Sequence, residues 1–280
     1  MTKRREKILL PFLAVLLGFI LGSLFVIATG RSPVAMFAAM VKGFSGLDII
    51  NDVPWNTRYI GEFVINAMPI ILTGLAFAFA SRTGLFSIGA EGQLMVGSLA
   101  ATAVALLVQA PRFIHLPLVL MASILAGALW GAVPGFLKAR FNVHEVTVSI
   151  MMNYIALHLN NFVILNIFGS QDKVKTAFFP ETALLKSPFL QSITRGSRLN
   201  WGFIPVILAL VVFSFIINKT TFGYSLRAVG YNKDASRYAG MKVNRNIVLS
   251  MMIAGAFAGL AGSVITVGTF NFGRAMSAAE

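Results

Sequence analysis

The sequence predicts an all-α fold, a polytopic bundle of membrane helices with about seven spans. Three observations predict it. Hydrophobic residues make up 57% of the 280 positions and charged residues only 12%, against about 25% charged in ordinary soluble domains. Mean hydropathy is +0.79. Apolar runs of about 20 residues, the length that crosses a hydrocarbon core as helix, recur along the whole chain.

Taken in order, the first element is "MTKRREKILLPFLAVLLGFILGSLFVIATG". Its apolar run is too long for a signal-peptide core and no A-x-A site closes it, so it reads as an uncleaved first span, 8–29. Spans 63–80 and 85–108 form a hairpin about the tight turn "SRTG" (81–84), and the second arm opens on the polar "SIGAEGQ". Four more spans follow at 116–137, 146–168, 202–218 and 247–268. Seven spans place the chain ends on opposite sides. Thirteen Lys and Arg residues fall on segments 1–7, 81–84, 138–145 and 219–246, and nine on the longer segments 30–62, 109–115 and 169–201, with Arg274 beyond the last span. Basic loops stay inside, so the N-terminus is expected in the cytoplasm. On this reading residues 1–280 are one transmembrane domain, with 219–246 a cytoplasmic loop and 169–201 an external one.

The net charge of +13, from 23 basic and 10 acidic residues, fits loops facing an anionic leaflet. Membrane lipid, and not nucleic acid, is the partner it points to. The absence of cysteine removes disulfides and thiolate metal sites. Small residues recur at four-residue spacing: Gly18 and Gly22; Gly127, Gly131 and Gly135; Gly255 and Gly259, with Ala258 and Gly262. That spacing stacks them on one helix face and permits close backbone approach. It suits plain bundle packing as well as sliding helices.

Within the spans the polar residues are few. Glu91 and Gln93 lie two apart in an otherwise apolar segment. If Ser87 caps that helix, Glu91 sits one turn in, where the helix dipole favours a carboxylate; alternatively Glu91 and Gln93 face a water-lined path and touch or gate a polar solute. Ser149, Asn153 and Asn160 are spaced four and seven apart, which places them on one face, with His158 and Asn161 nearby. They serve either hydrogen bonds between helices or a hydrophilic path, and Asn66 is a similar case. The three histidines are too scattered for a metal set, and "HE" at 144–145 lacks the second histidine of a zinc helix. There is no nucleophile elbow and no phosphate-binding glycine loop, so neither an enzyme nor a nucleotide site, cofactor or metal is expected.

The loop "KTTFGYSLRAVGYNKDASRYAGMKVNR" (219–245) carries helix signals of its own. Asn232 or Asp234 can cap a short helix and Gly240 suits the left-handed position after its end. Arg237 and Tyr238 then fall on a stub of about two turns, shaped as a docking plug. "TFGYSLRAVGYNKDASRYAGMKVNR" resembles the cytoplasmic loop of permease subunits of ATP-binding-cassette importers in the ribose and branched-chain amino-acid permease superfamily. "TGLFSIGAEGQLMVGSLAA" and "NVHEVTVSIMMNYIA" resemble two further signatures of that superfamily, in forms nearest its nucleoside-uptake branch.

The resemblance covers roughly residues 60–270. It implies an importer that moves a small polar solute, nucleosides above all, into the cell across the cytoplasmic membrane, powered by ATP hydrolysis in a separate subunit. The partners it implies are cytoplasmic ATP-binding subunits docking on Asn232, Asp234, Arg237, Tyr238 and Gly240, a second permease subunit, identical or not, and an extracellular or lipid-anchored binding protein. Glu91 and Gln93 then stand beside the translocation path, with Ser149, Asn153, Asn160 and Asn66 as further lining residues. Family members continue beyond "NFGRAMSAAE" into a second half that mirrors the first, so the chain is expected to be part of an inverted-repeat permease missing its C-terminal portion, unable to transport alone. The alternatives are a sugar or branched-chain amino-acid permease of the same superfamily, an ion-coupled secondary carrier, for which Glu91 is the only core acid to hand, and a membrane scaffold.

Overall fold

The computed structural model of the chain describes residues 2–48, 55–169 and 175–276. Eleven α-helices follow one another among them: α1 (Thr2–Ala28), α2 (Pro33–Ser45), α3 (Thr57–Ser81), α4 (Ala90–Leu107), α5 (Arg112–Phe141), α6 (Glu145–Asn166), α7 (Pro188–Ile193), α8 (Phe203–Lys219), α9 (Thr221–Tyr231), α10 (Lys233–Tyr238) and α11 (Val243–Ser263). The last runs on into a π-helical turn, Val264–Phe270. The described residues otherwise pair only in isolated β-bridges. The expected helical bundle is what forms.

Six of these helices are long and apolar enough to span a membrane, and a seventh span arises only if α8 and α9, bent by 72° from one another, count together. The span expected at 202–218 is therefore a broken one: α8 has 17 residues, which at about 1.5 Å each reach only ~25 Å. The stretch 30–62, read from hydropathy as external loop, holds α2. Pro33 begins it, with a ring that presets the first helical turn, and Gly46 ends it in the left-handed conformation. Residues 170–174 of the loop expected at 169–201, and 277–280 of the chain end, lie outside the described residues.

The chain divides into two compact units, residues 1–63 with 192–197 and residues 64–191 with 198–280. In the first, Lys42 pairs with Asp48 at 2.6 Å and the Trp55 indole donates to the Ser45 carbonyl at 2.8 Å. The apolar window of α1 buries none of its residues in the chain itself.

In the second unit α11 is the central helix, with 72% of its span buried. It is central because glycines let α4 and α5 reach its backbone. A Cβ added at Gly127 would fall on the carbonyl oxygen of Gly255, and one added at Gly255 on that of Gly127. A Cβ at Gly97 of α4 would lie 2.5 Å from the Cα of Gly259, and the Ser123 hydroxyl of α5 donates to the Gly259 carbonyl. The small-residue faces read from the sequence thus meet at Gly127 and Gly131 against Gly255 and Gly259, while Gly262 turns to α4 at Leu94 and Ser98. Leu72, Phe79, Leu226, Val229 and Met251 fill the space between α3, α9 and α11.

The third span starts later than expected. Residues 85–89 are irregular, Ala90 opens α4, and its N-cap position is Gly89, with no capping side chain of its own. Ser87 is buried but does not cap the helix.

The two glycine faces make opposite predictions. Gly127→Ala should cost about 1–3 kcal/mol, because the methyl group meets backbone rather than a side chain that can turn away. Gly18→Ala, where nothing lies within 4 Å of the added atom, should leave stability unchanged or raise it slightly. Thermal unfolding of the detergent-solubilised protein checks both.

Candidate functional site

Residues 82–89 run without regular helix between α3 and α4, so the first N–H groups of α4 have no partner within their own helix. Asn153 of α6 supplies one. Its Oδ1 accepts from the Gly92 N–H at 3.0 Å, and its Nδ2 donates to the Ile88 carbonyl at 3.1 Å. One carboxamide thereby closes both sides of the break. One turn earlier on α6, the buried Ser149 hydroxyl lies 3.3 Å from where a Cβ on Gly89 would stand. A further turn back, the buried Glu145 pairs with Lys138 of α5 at 2.9 Å, with the Phe86 backbone near its carboxyl. Glu145, Ser149 and Asn153 recur every fourth residue and form a ladder along the break.

The opposite flank of the break rests on α9. Gly84 has φ 71°, and a Cβ on it would be 3.2 Å from the Gly230 carbonyl oxygen. A Cβ on Gly230 would fall on the carbonyl of Arg82. The turn is also tied to α11, where the Thr83 hydroxyl donates to Ser250 at 2.8 Å.

Glu91 and Gln93 part company here, since two residues are about 200° apart on a helix. Gln93 is 1% exposed and points into the interior, its Nε2 3.1 Å from where a Cβ on Gly131 of α5 would stand. Glu91 is exposed and lines two cavities. The larger, about 410 Å³, lies among α3, α4 and the tail after α11, where Thr73, Ser98, Met95, Arg274 and Met276 share its wall. The smaller, about 170 Å³, is shared with Asn153 and Tyr154 of α6. Glu91 stands in the first turn of α4, where the partial positive charge of the helix end favours a carboxylate.

The tail that brings Arg274 to the larger cavity is held by amides. Asn161 exchanges two hydrogen bonds with the backbone of Met276, at 2.8 and 2.9 Å, and Asn160 donates to the Arg274 carbonyl at 3.2 Å. Thr176 and Gly273 bond reciprocally at 2.8 and 2.9 Å. The Arg274 guanidinium lies over the Phe270 ring at 4.1 Å. At the π turn Thr266 meets Ser98 of α4, hydroxyl to hydroxyl, at 2.5 Å. Asn160, read from the sequence as a lining residue, is buried and ties the tail to α6. Asn66 is exposed on α3.

The 219–246 segment is more ordered than a loop with a stub. α9 packs its Leu226 and Val229 into the core, and α10 follows at once. Asn232, not Asp234, caps α10: its Oδ1 accepts from the N–H groups of Asp234 and Ala235, both at 3.0 Å. Gly240 takes φ 81°, while its N–H bonds Arg237 and that of Met241 bonds Ser236, the two bonds of a left-handed helix stop. Asp234, Arg237 and Tyr238 are exposed, Tyr238 to 95%, as is Tyr231, to 97%.

Among the described residues no three His, Cys, Asp or Glu side chains gather as a metal set. His115 is a buried hydrogen-bonding residue, between Thr182 at 2.9 Å and the Val104 carbonyl at 3.2 Å. Sequence reasoning missed Glu145, Asn161, Arg274 and Gly230. Glu145 carried a usable signal, the four-residue spacing to Ser149.

Residues 59–276 match the family described as branched-chain amino acid transport system / permease component. The chain is 49% identical over 272 residues to the guanosine ABC transporter permease protein NupP of Bacillus subtilis (strain 168), covering 97% of this chain and 75% of that one. It is 37% identical over 274 residues to the nucleoside ABC transporter permease protein NupB of Lactococcus lactis subsp. cremoris (strain MG1363), covering 96% and 73%. To the glucose ABC transporter permease protein TsgB13 of Haloferax volcanii it is 31% identical over 261 residues, covering 90% and 66%. No solved structure matches.

The ladder on α6 predicts unequal costs. Asn153→Ala removes the cap of α4 and should destabilise the purified protein by about 1–2 kcal/mol. Ser149→Ala removes a buried hydroxyl with no hydrogen-bond partner in the protein and should cost nothing, since no bond is lost. Denaturant unfolding of the two variants side by side measures the difference.

Proposed function

Because the chain belongs to the branched-chain amino acid transport system permease family and is a multi-pass membrane permease component, we propose that it carries nucleosides inward as one subunit of an ATP-driven importer. The observation that carries the solute class is the 49% and 37% identity, over nearly the whole chain, to a guanosine and a nucleoside permease. The geometry supports it. A cavity of about 410 Å³ has room for a molecule of nucleoside size. Its polar groups, a carboxylate, a guanidinium and two hydroxyls among apolar side chains, suit a neutral solute rich in donors and acceptors.

In this reading Glu91, Ser98 and Arg274 line the path, and Asn153 borders it from the α6 side. Gln93, Ser149 and Asn160 support the elements that carry those residues, and Asn66 faces outward from α3. The N-terminus and the 219–246 segment lie in the cytoplasm. ATP-binding subunits dock on α10, where Asn232 and Gly240 shape the helix and Asp234, Arg237 and Tyr238 present it. A second permease subunit completes the path and an external binding protein delivers the solute. ATP is hydrolysed by the partners, not by this chain.

Reconstitution of the full-length permease with its ATPase and binding protein in vesicles tests the solute. Labelled guanosine should be taken up, and unlabelled nucleosides should compete while glucose and leucine do not. Glu91→Gln should lower uptake by about tenfold at equal protein abundance, the change that ~1.4 kcal/mol makes in a two-state balance. Wild-type uptake by that variant would reduce Glu91 to a helix-end charge.

Topology has its own test. A cysteine replacing Asp234 should react with an impermeant thiol reagent from the cytoplasmic side alone and crosslink to the ATPase. Reaction in intact cells would reverse the orientation.

A further inference from the structure

We propose that residues 82–92 are the moving joint of the permease, carried by α9 against a stationary α6, and that Asn153 is the positioning residue that holds Glu91 in its resting place. The inference rests on the reading of the chain as an ATP-driven permease.

The joint has unlike attachments on its two flanks. Toward α9 the contact is backbone on backbone: Gly230 lies so close to Arg82 and Gly84 that a methyl group at either glycine meets carbonyl oxygen. No side chain stands between to absorb a displacement. Toward α6 the attachments are the two side-chain hydrogen bonds between Asn153 and Ile88 and Gly92, with the Glu145 carboxyl near the Phe86 backbone. Such bonds can be broken and remade with other polar groups, such as those lining the adjoining cavities, whereas a backbone-on-backbone contact has no alternative partner. The α9 contact also lies beside the exposed surface on which the ATP-binding subunits are proposed to dock. Gly230 precedes the exposed Tyr231, and α10 begins two residues later. The turn's remaining bond, Thr83 to Ser250, is to α11, the helix into which the same segment leads. α6 is tied instead to α5, through Glu145 and Lys138.

A push on α10 therefore reaches the joint through one glycine contact, and the yielding contacts are those to α6. Release of Asn153 frees the first turn of α4, whose second residue is Glu91. That carboxylate borders both the 170 Å³ cavity shared with Asn153 and the 410 Å³ cavity shared with Ser98 and Arg274. A modest rotation of the first turn exchanges its exposure between them. Asn153 acts through Glu91 and need not touch the solute.

Two pairs of cysteines test this, and the chain has no cysteine of its own to interfere. Ile88→Cys with Asn153→Cys links the joint to α6; Arg82→Cys with Tyr231→Cys links it to α9. Each pair is closed by a short, reducible thiosulfonate crosslinker in the full-length permease reconstituted with its ATPase and binding protein, and each is compared with its own reduced form. The α6 link should stop uptake, and reductant should restore it. The α9 link should leave uptake as in its reduced form. A static contact tolerates a crosslink, so uptake through the closed α6 link would overturn the proposal, as would a block by the α9 link alone. A second readout needs no solute. Trapping the ATPase with ATP and vanadate should slow crosslinking of the 88/153 pair and leave the 82/231 pair unchanged; equal rates in both states would overturn the proposal even if the reduced variants transport poorly. Failure of the cysteine-free parent to take up guanosine, with the trapping effect present, would instead count against the nucleoside reading alone.

Discussion

A helix that starts inside a membrane bundle exposes the N–H groups of its first turn to surroundings without water, where an unpaired backbone group costs several kcal/mol. The start of α4 is tolerated because Asn153 reaches across from α6 and satisfies Gly92 and Ile88 together. Much of the local sequence follows from that one carboxamide. A Cβ on Gly92 would lie 2.7 Å from Asn153 Oδ1, and one on Gly89 would crowd Ser149. Both positions are therefore glycine, and Glu91 is left as the polar side chain of the first turn that lines a cavity.

The two ends of α4 are held by different forces. Between membrane helices there is no hydrophobic drive comparable to that in water, and association relies on close packing and hydrogen bonds. Around Gly259 the backbones of α4, α5 and α11 approach with almost nothing between them. Beyond that point the π turn meets Ser98 through Thr266, and the Val267 carbonyl accepts from Leu185 at 3.1 Å. π turns free such groups for bonding and gather at functional sites. The start of α4, by contrast, follows a non-helical segment latched by side chains. Stiffness at one end and latches at the other give the α4 hairpin a natural pivot.

How much of this was legible depended on whether the signal was local. The caps of α10 were read correctly as a pair of choices, because Asn232 and Gly240 act on backbone within a few residues of themselves. The small-residue faces were legible as faces, although nothing in the sequence said that 127–135 would meet 255–259. Ser149, Asn153 and Asn160 do share one side of α6 and do turn inward or toward other segments. Their partners are more than 60 residues away in sequence for Asn153 and more than 110 for Asn160, beyond any local pattern. Gln93 was grouped with Glu91 by adjacency when helical period already separated them. The cap expected at Ser87 failed for a physical reason: residues 85–89 lie in the irregular segment between α3 and α4, so the helix starts after them with Gly89 at its N-cap position. Arg274 was invisible as a site residue because partners distant in sequence, amides on α6 and the Thr176 segment, fold the tail back to the cavity.

The charges on the larger cavity bear on what can pass it. Glu91 comes from α4 and Arg274 from the tail, and the other wall residues are hydroxylic or apolar. A small ion entering would be drawn by one group and repelled by the other, and neither sign is favoured throughout. Among the described residues no three His, Cys, Asp or Glu side chains gather around one point, and Glu91 is the one acidic residue on the wall of this cavity. A neutral polar solute gains from both ends, offering donors to the carboxylate and acceptors to the guanidinium, while its apolar faces meet Met95 and Met276. The larger cavity thus carries one group of each sign beside a break that α6 caps from across the bundle, a polar lining matched to both donors and acceptors.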